Sequence, residues 1–123
     1  MILVDTSVWI DHLRSGEPML ATALDSGQVM THPFVLGELA CGNLANRGEV
    51  LKLIGDLPAA PTATDFEVLD FIERRALMGR GIGYIDVHLL ASTAVYGVAR
   101  LWTRDRRLAA AAAEMRLAVD EEG

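Results

Sequence analysis

One cysteine, Cys41, and one lysine, Lys52, stand in a chain of 123 residues. A lone thiol cannot close an internal disulfide, which suits a reducing cytosol, and a cytoplasmic location is the expectation. No apolar run approaches the roughly 18 residues that span a bilayer. The start Met1-Ile2-Leu3-Val4-Asp5 has neither a cationic segment nor a long apolar core, so neither a membrane anchor nor a secretory leader is expected. A G-x-S-x-G elbow and a P-loop are both missing, and Gly79, Gly81 and Gly83 form G-x-G-x-G rather than a dinucleotide fingerprint. The three histidines His12, His32 and His88 are scattered, and no spacing pairs them with Cys41, which removes the usual zinc patterns.

What is present is apolar: 51% hydrophobic residues against 23% charged, too hydrophobic for disorder and enough for a single core in one domain over residues 1–123. The net charge of −6 argues against a nucleic-acid partner, because phosphate binding relies on cations. The distribution argues the other way. Ten of the eleven basic residues are arginine, and seven of these bunch as Arg74, Arg75 and Arg80 and as Arg100, Arg104, Arg106 and Arg107. Arginine suits bidentate phosphate contact, and solvated helix faces are the alternative reading.

Short β-branched and leucine runs alternate with helical patterns. Strands are expected at Ile2 to Val4, Val29 to Thr31 and Val98 to Thr103, with a further one at Leu117 to Val119. Helices are expected after Asp5, where Val8, Trp9, Ile10 and Leu13 recur at helical spacing, then over Pro18 to Leu24, Pro33 to Leu44, Glu49 to Leu57, Thr64 to Met78, Ile85 to Tyr96 and Arg106 to Met115. Thr64 and Glu67 have the spacing of a capping box, and Phe66, Leu69, Ile72, Ala76 and Leu77 read as the apolar stripe of that helix. The glycines at 79, 81 and 83 read as a helix stop and loop, and Asp120 to Gly123 as a frayed tail. The alternation is that of an α/β fold, a parallel sheet covered on both faces.

Four acids stand out. Asp5 follows the first strand and Asp105 the third, and ligands of open α/β sheets bind at the carboxyl ends of strands. Glu38 has Phe34, Val35, Cys41 and Gly42 as helical neighbours, which puts a carboxylate on a largely apolar face unless it sits at the edge and reaches solvent. Gly37 and Gly42 on the same helix suggest close backbone packing nearby. Asp86 lies in the first turn of its helix. Asp5, Asp86 and Asp105, each alone, also read as a helix cap or dipole partner. Together the four would repel by about 4 kcal/mol per pair at 4 Å and an effective dielectric of 20, so convergence calls for a cation. An all-oxygen set selects Mg²⁺ or Mn²⁺.

The strand ending in Asp5-Thr6-Ser7, the segment Val35-Leu36-Gly37-Glu38-Leu39, the run Ile85-Asp86-Val87-His88-Leu89-Leu90-Ala91 and Thr103-Arg104-Asp105 together resemble the PIN-domain ribonucleases, and within them the VapC-type toxins of bacterial toxin–antitoxin pairs. The resemblance covers nearly the whole chain. It implies a three-layer α/β/α fold with a central parallel sheet and a Mg²⁺ or Mn²⁺ site built by Asp5, Glu38, Asp86 and Asp105, with Ser7 as the small hydroxyl of the first motif. It further implies hydrolysis of structured RNA (tRNA, rRNA or mRNA) by a metal-activated water. Arg80, Arg104 and Arg106 are the candidates to hold the RNA backbone. A VapB-like cognate antitoxin is implied, sending a basic side chain toward the acids, as is a homodimer. The helices from Pro18 to Leu24 and from Phe34 to Leu44 are candidate interfaces. One departure is Leu108, where many relatives carry phenylalanine.

Two other readings stay open. An aspartate-based phosphoacceptor or phosphatase would also put Asp5 beside Mg²⁺ but ordinarily needs a lysine there, and Lys52 falls inside a helix. A non-catalytic protein-binding module would use the acids as caps. On the nuclease reading, Asp5→Asn or Glu38→Gln abolishes cleavage and, by relieving repulsion, leaves the metal-free protein as stable or more so.

Overall fold

The computed structural model describes residues 1–120. Of the tail expected at Asp120 to Gly123, residues 121–123 lie outside the described residues. β1 (Ile2–Val4) is the central strand of a parallel sheet, with β2 (Val29–Met30) on one side and β3 (Arg100–Trp102) on the other. Single parallel bridges extend both edges, Thr31 with Ala59 and Leu101 with Ala118. The last strand expected at Leu117 to Val119 is thus one bridge long, and the Pro58 to Pro61 stretch contributes the other.

Seven helices surround the sheet among the described residues: α1 (Thr6–Ser15), α2 (Pro18–Asp25), α3 (Pro33–Cys41), α4 (Arg47–Gly55), α5 (Asp65–Arg75), α6 (Tyr84–Tyr96) and α7 (Arg106–Glu114). They pack in two groups, α1 with α3 and α3 with α4, and α5 with α6 and α6 with α7, giving the three-layer α/β/α architecture. The core is one cluster in which Leu3 and Val4 of β1 meet Leu20, Met30, Leu39, Leu89, Leu90 and Trp102. Leu3 and Val4 of β1 and the middle of α6, from Val87 to Thr93, are buried, which is why these stretches read as largely apolar.

The capping box at α5 is present: Thr64 Oγ1 accepts from the Glu67 N–H at 3.1 Å, and Glu67 Oε1 accepts from the Thr64 N–H at 3.0 Å. The stripe assigned to α5 is corrected. Val68 and Phe71 face the core, while Phe66 is 81% and Leu69 57% exposed. Two apolar ridges run along this helix, and tertiary packing selects the one on Val68, Phe71 and Ile72. The close approach expected at Gly37 is absent, since a Cβ there would meet nothing within 4 Å, whereas one at Gly42 would lie 3.3 Å from the Leu39 carbonyl oxygen. In the glycine loop, Gly81 has φ +76°, and a Cβ there would lie 2.6 Å from Arg107 Nη1, so Arg107 lies across the turn that leads into α6.

Candidate functional site

β1 and β3 end side by side. The Asp5 N–H donates to the Trp102 carbonyl oxygen at 2.9 Å, so the chain leaves both strands at the same edge of the sheet. Asp5 is buried, 5% exposed, and caps α1 itself. Its carboxylate is fully engaged by neutral donors: Oδ1 accepts from the Thr6 N–H at 2.7 Å, and Oδ2 accepts from the Ser7 hydroxyl at 2.9 Å and the Thr103 hydroxyl at 2.7 Å. The two hydroxyls are committed as acceptors as well, Ser7 Oγ to the Arg104 N–H and Thr103 Oγ1 to the Asp105 N–H. This collar ties the end of β1 to the end of β3 and revises one expectation: Asp5→Asn would turn one accepting oxygen into an NH₂ that faces either the Thr6 N–H or the donating hydroxyls of Ser7 and Thr103, so at least one donor loses its acceptor and stability falls.

Asp105 caps α7, its Oδ1 accepting from the Arg107 and Leu108 N–H groups at 2.9 and 3.0 Å. The cap readings of Asp5 and Asp105 therefore hold in addition to their strand-end placement. Glu38 departs from the apolar-face reading. It is exposed, at the edge of α3, and its Oε1 accepts from the Thr6 hydroxyl at 2.8 Å. Asp86 stands half-buried in the first turn of α6, whose N-cap Gly83 offers no side-chain bond. Its carboxyl is pushed up to about 6, first by burial and then by the neighbouring carboxylates Asp5, Asp105 and Glu38.

Asp5, Glu38 and Asp105 therefore all lie within electrostatic reach of Asp86 at the edge of the sheet, and the charges acting on Asp86 are all negative. They do not close into a ready chelate: among the described residues, no three histidine, cysteine or acidic side chains are grouped tightly enough to hold one ion. The donor chemistry nonetheless fits a hard divalent cation. Carboxylate oxygens surround a half-buried acid that resists ionisation, and a cation is what such a set lacks. The histidines lie elsewhere. His12 Nδ1 accepts from the Glu17 N–H, while buried His32 and His88 belong to a chain of ring contacts through Phe34 and Tyr84 that ends on Asp65.

The arginines divide. Arg104 Nε lies 3.1 Å from Asp11 and its Nη2 2.7 Å from Glu17, binding α1 to the start of α2. Arg80 pairs with Glu114 at the far end of α7 from Asp105, its Nη1 3.1 Å from Oε1. Arg106 is exposed and makes no ion pair among the described residues. Lys52 is exposed and pairs with Asp56 at 2.8 Å on α4, which leaves the phosphoacceptor reading without the lysine it needs. Thr6 and Thr103 were not singled out from sequence. The available signal was a hydroxyl residue at each strand end, directly beside the motif acids.

Residues 2–114 match the PIN domain. The chain is also 50% identical over 122 residues to the protein named Ribonuclease VapC32 in two strains of Mycobacterium tuberculosis, CDC 1551 / Oshkosh and H37Rv, an alignment that covers 99% of this chain and 98% of each relative.

Proposed function

The chain belongs to the PIN-domain family, and from that premise we propose that it is a VapC-type endoribonuclease, the toxin of a toxin–antitoxin pair, cutting RNA with a divalent cation, Mg²⁺ or Mn²⁺, held by Asp5, Glu38, Asp86 and Asp105. The observation that carries the site assignment is the raised carboxyl of Asp86 among three other acids at the carboxyl edge of the sheet. When bound, such an ion lowers the pKa of a water and offsets charge on the scissile phosphate. The protein's part is placement. The hydroxyls of Ser7 and Thr103 and the Thr6 N–H hold the Asp5 carboxylate in place. Asp105 is fixed as the cap of α7, and Asp86 waits in a position where its charge is unfavourable until a cation arrives. No side chain is needed as a nucleophile, since water supplies the attacking oxygen.

RNA approaching this edge meets Arg106, one residue past Asp105, and we assign it the phosphate contact, with Arg104 beside it. The pairing of Arg80 with Glu114 favours a structural role for that residue. No described helix is long and apolar enough to cross a membrane, and we place the protein in the cytoplasm with its RNA substrate. A VapB-like antitoxin and a second copy of the chain are the proposed partners. An apolar groove between α1, α2 and α4, with Leu13 and Leu53 exposed beside Leu24 and Val50, supports docking of the antitoxin. The test is inducible expression in bacteria with mapping of RNA ends. Growth arrest and discrete cleavage by the wild type, both lost in Asp86→Asn, support the proposal; equal toxicity of the two proteins contradicts it.

A further inference from the structure

Thr6 touches two of the four acids at once. Its N–H donates to Asp5 Oδ1 at 2.7 Å and its hydroxyl donates to Glu38 Oε1 at 2.8 Å, joining the start of α1 to α3 across 32 positions of sequence. Glu38 is exposed, and among the described residues Thr6 is the one group that hydrogen-bonds its carboxylate. Without that bond, a long side chain at a helix edge samples many rotamers. Threonine suits the task. Within a helix its hydroxyl is commonly taken by a carbonyl one turn earlier, but at the first helical position no earlier turn exists, so the hydroxyl is available to α3. β-Branching also restricts χ1, so the donor is stiff.

From this geometry we infer that Thr6 is a positioning residue that holds Glu38 in register with Asp5, so that both carboxylates present themselves to the same cation; the inference rests on the reading of the four acids as a divalent-cation site. Asp5 is clamped by three donors and Glu38 by one, so the hydroxyl of Thr6 is the weakest and most informative link in the set.

The experiment compares wild type, Thr6→Val, Thr6→Ala, Thr6→Ser and Glu38→Gln by titrating Mn²⁺ against melting temperature, with RNA cleavage followed over the same series. Thr6→Val and Thr6→Ala are expected to raise the Mn²⁺ concentration for half-maximal stabilisation by about three- to ten-fold. Melting without metal should stay near that of the wild type, and the cleavage rate at saturating Mn²⁺ within about two-fold of it. Thr6→Ser, which restores the donor, should return the titration to the wild-type curve. Superposition of the Thr6→Val and Thr6→Ala titrations on the wild type, with Glu38→Gln losing its Mn²⁺ response, overturns the role of Thr6 and leaves the metal site standing. A Thr6→Ser protein as impaired as Thr6→Val also overturns it, because the methyl group and not the hydroxyl would then matter. An unchanged titration in Glu38→Gln overturns the site assignment itself.

Discussion

Two sets of carboxylates in this protein are handled in opposite ways. Around the rim, acids meet cations: Asp11 and Glu17 with Arg104, Asp70 with Arg74, Glu114 with Arg80 and Asp56 with Lys52. At the sheet edge, Asp5, Glu38 and Asp105 are met by hydroxyls and backbone N–H groups, and Asp86 feels three other acids. The chain does not lack arginine near that edge. Arg104 directly precedes Asp105, yet its guanidinium reaches Asp11 and Glu17. A fold able to neutralise its acids elsewhere leaves these four as a concentrated negative charge, the pattern of a site that takes its positive charge from outside.

The largest expected effects sharpen that contrast within the edge itself. Asp86→Asn and Asp5→Asn should each lower RNA cleavage by at least about 100-fold, since loss of an outer-shell partner alone can cost about 10- to 100-fold. Their stabilities should diverge. Asp86→Asn removes a repelled, half-buried charge and should melt at or above the wild-type temperature without metal. Asp5→Asn leaves at least one donor without its acceptor and should lose about 1–3 kcal/mol. Equal melting of the two variants, read by thermal denaturation in chelator, would erase the distinction drawn between clamped and unclamped acids.

A smaller effect concerns pH in the metal-free protein. Asp86 is raised from 3.8 to about 6 in the fold, so its contribution to stability is full below about pH 4 and is lost as pH rises through about 6. His32 runs the other way. It is lowered from 6.5 to about 4, by burial first and then by His88, so its contribution is present above about 6.5 and lost as pH falls through about 4. The hydrogen bonds match a neutral ring: Nδ1 accepts the Phe34 N–H at 3.0 Å and caps α3, which makes Nε2–H the donor to Ser92 Oγ at 3.1 Å. The two slopes offset, by on the order of 1 kcal/mol for the half-buried acid and 2 kcal/mol for the buried imidazole. Relative to wild type, Asp86→Asn should lose stability more steeply toward acid and His32→Asn, which retains a capping side chain, less steeply. Parallel profiles from pH 4 to 7 would contradict both assignments.

The smallest effects lie on the rim. Arg104→Ala should cost about 0.5–1 kcal/mol at low salt and less at high salt, as partly exposed pairs do. Arg106→Ala should leave melting unchanged while flattening the dependence of RNA affinity on salt by about 0.7–0.9 in the log–log slope, one phosphate contact. An unaltered slope would return Arg106 to the solvated surface.

How much of this was legible beforehand follows from what kind of constraint each feature obeys. The alternation of strands and helices, and the strand-end positions of Asp5 and Asp105, are local patterns and were readable. The capping box of α5 was readable for the same reason, but its buried face was not, because Phe66 and Leu69 compete with Val68 and Phe71 at equal helical spacing and only the packing partner decides. For Glu38 the sequence leaves two placements open, an apolar face and a helix edge. Its apolar neighbours suggested burial, whereas α3 turns it to the edge, where it meets a hydroxyl. The bonds from Thr6 and Thr103 span 32 and 98 positions, and the turn of Arg104 toward Glu17 spans 87. Partners at such separations are set by the assembled sheet, and no local spacing announces them.

The central claim is that the four unneutralised acids form one divalent-cation site. Electron paramagnetic resonance of Mn²⁺ added to the purified protein tests it most directly, by counting bound and free ion. The account expects saturable binding by the wild type that collapses in Asp86→Asn, while Glu114→Gln, an acid of the rim, binds as the wild type does. Binding that survives in Asp86→Asn, or that Glu114→Gln abolishes equally, would contradict it.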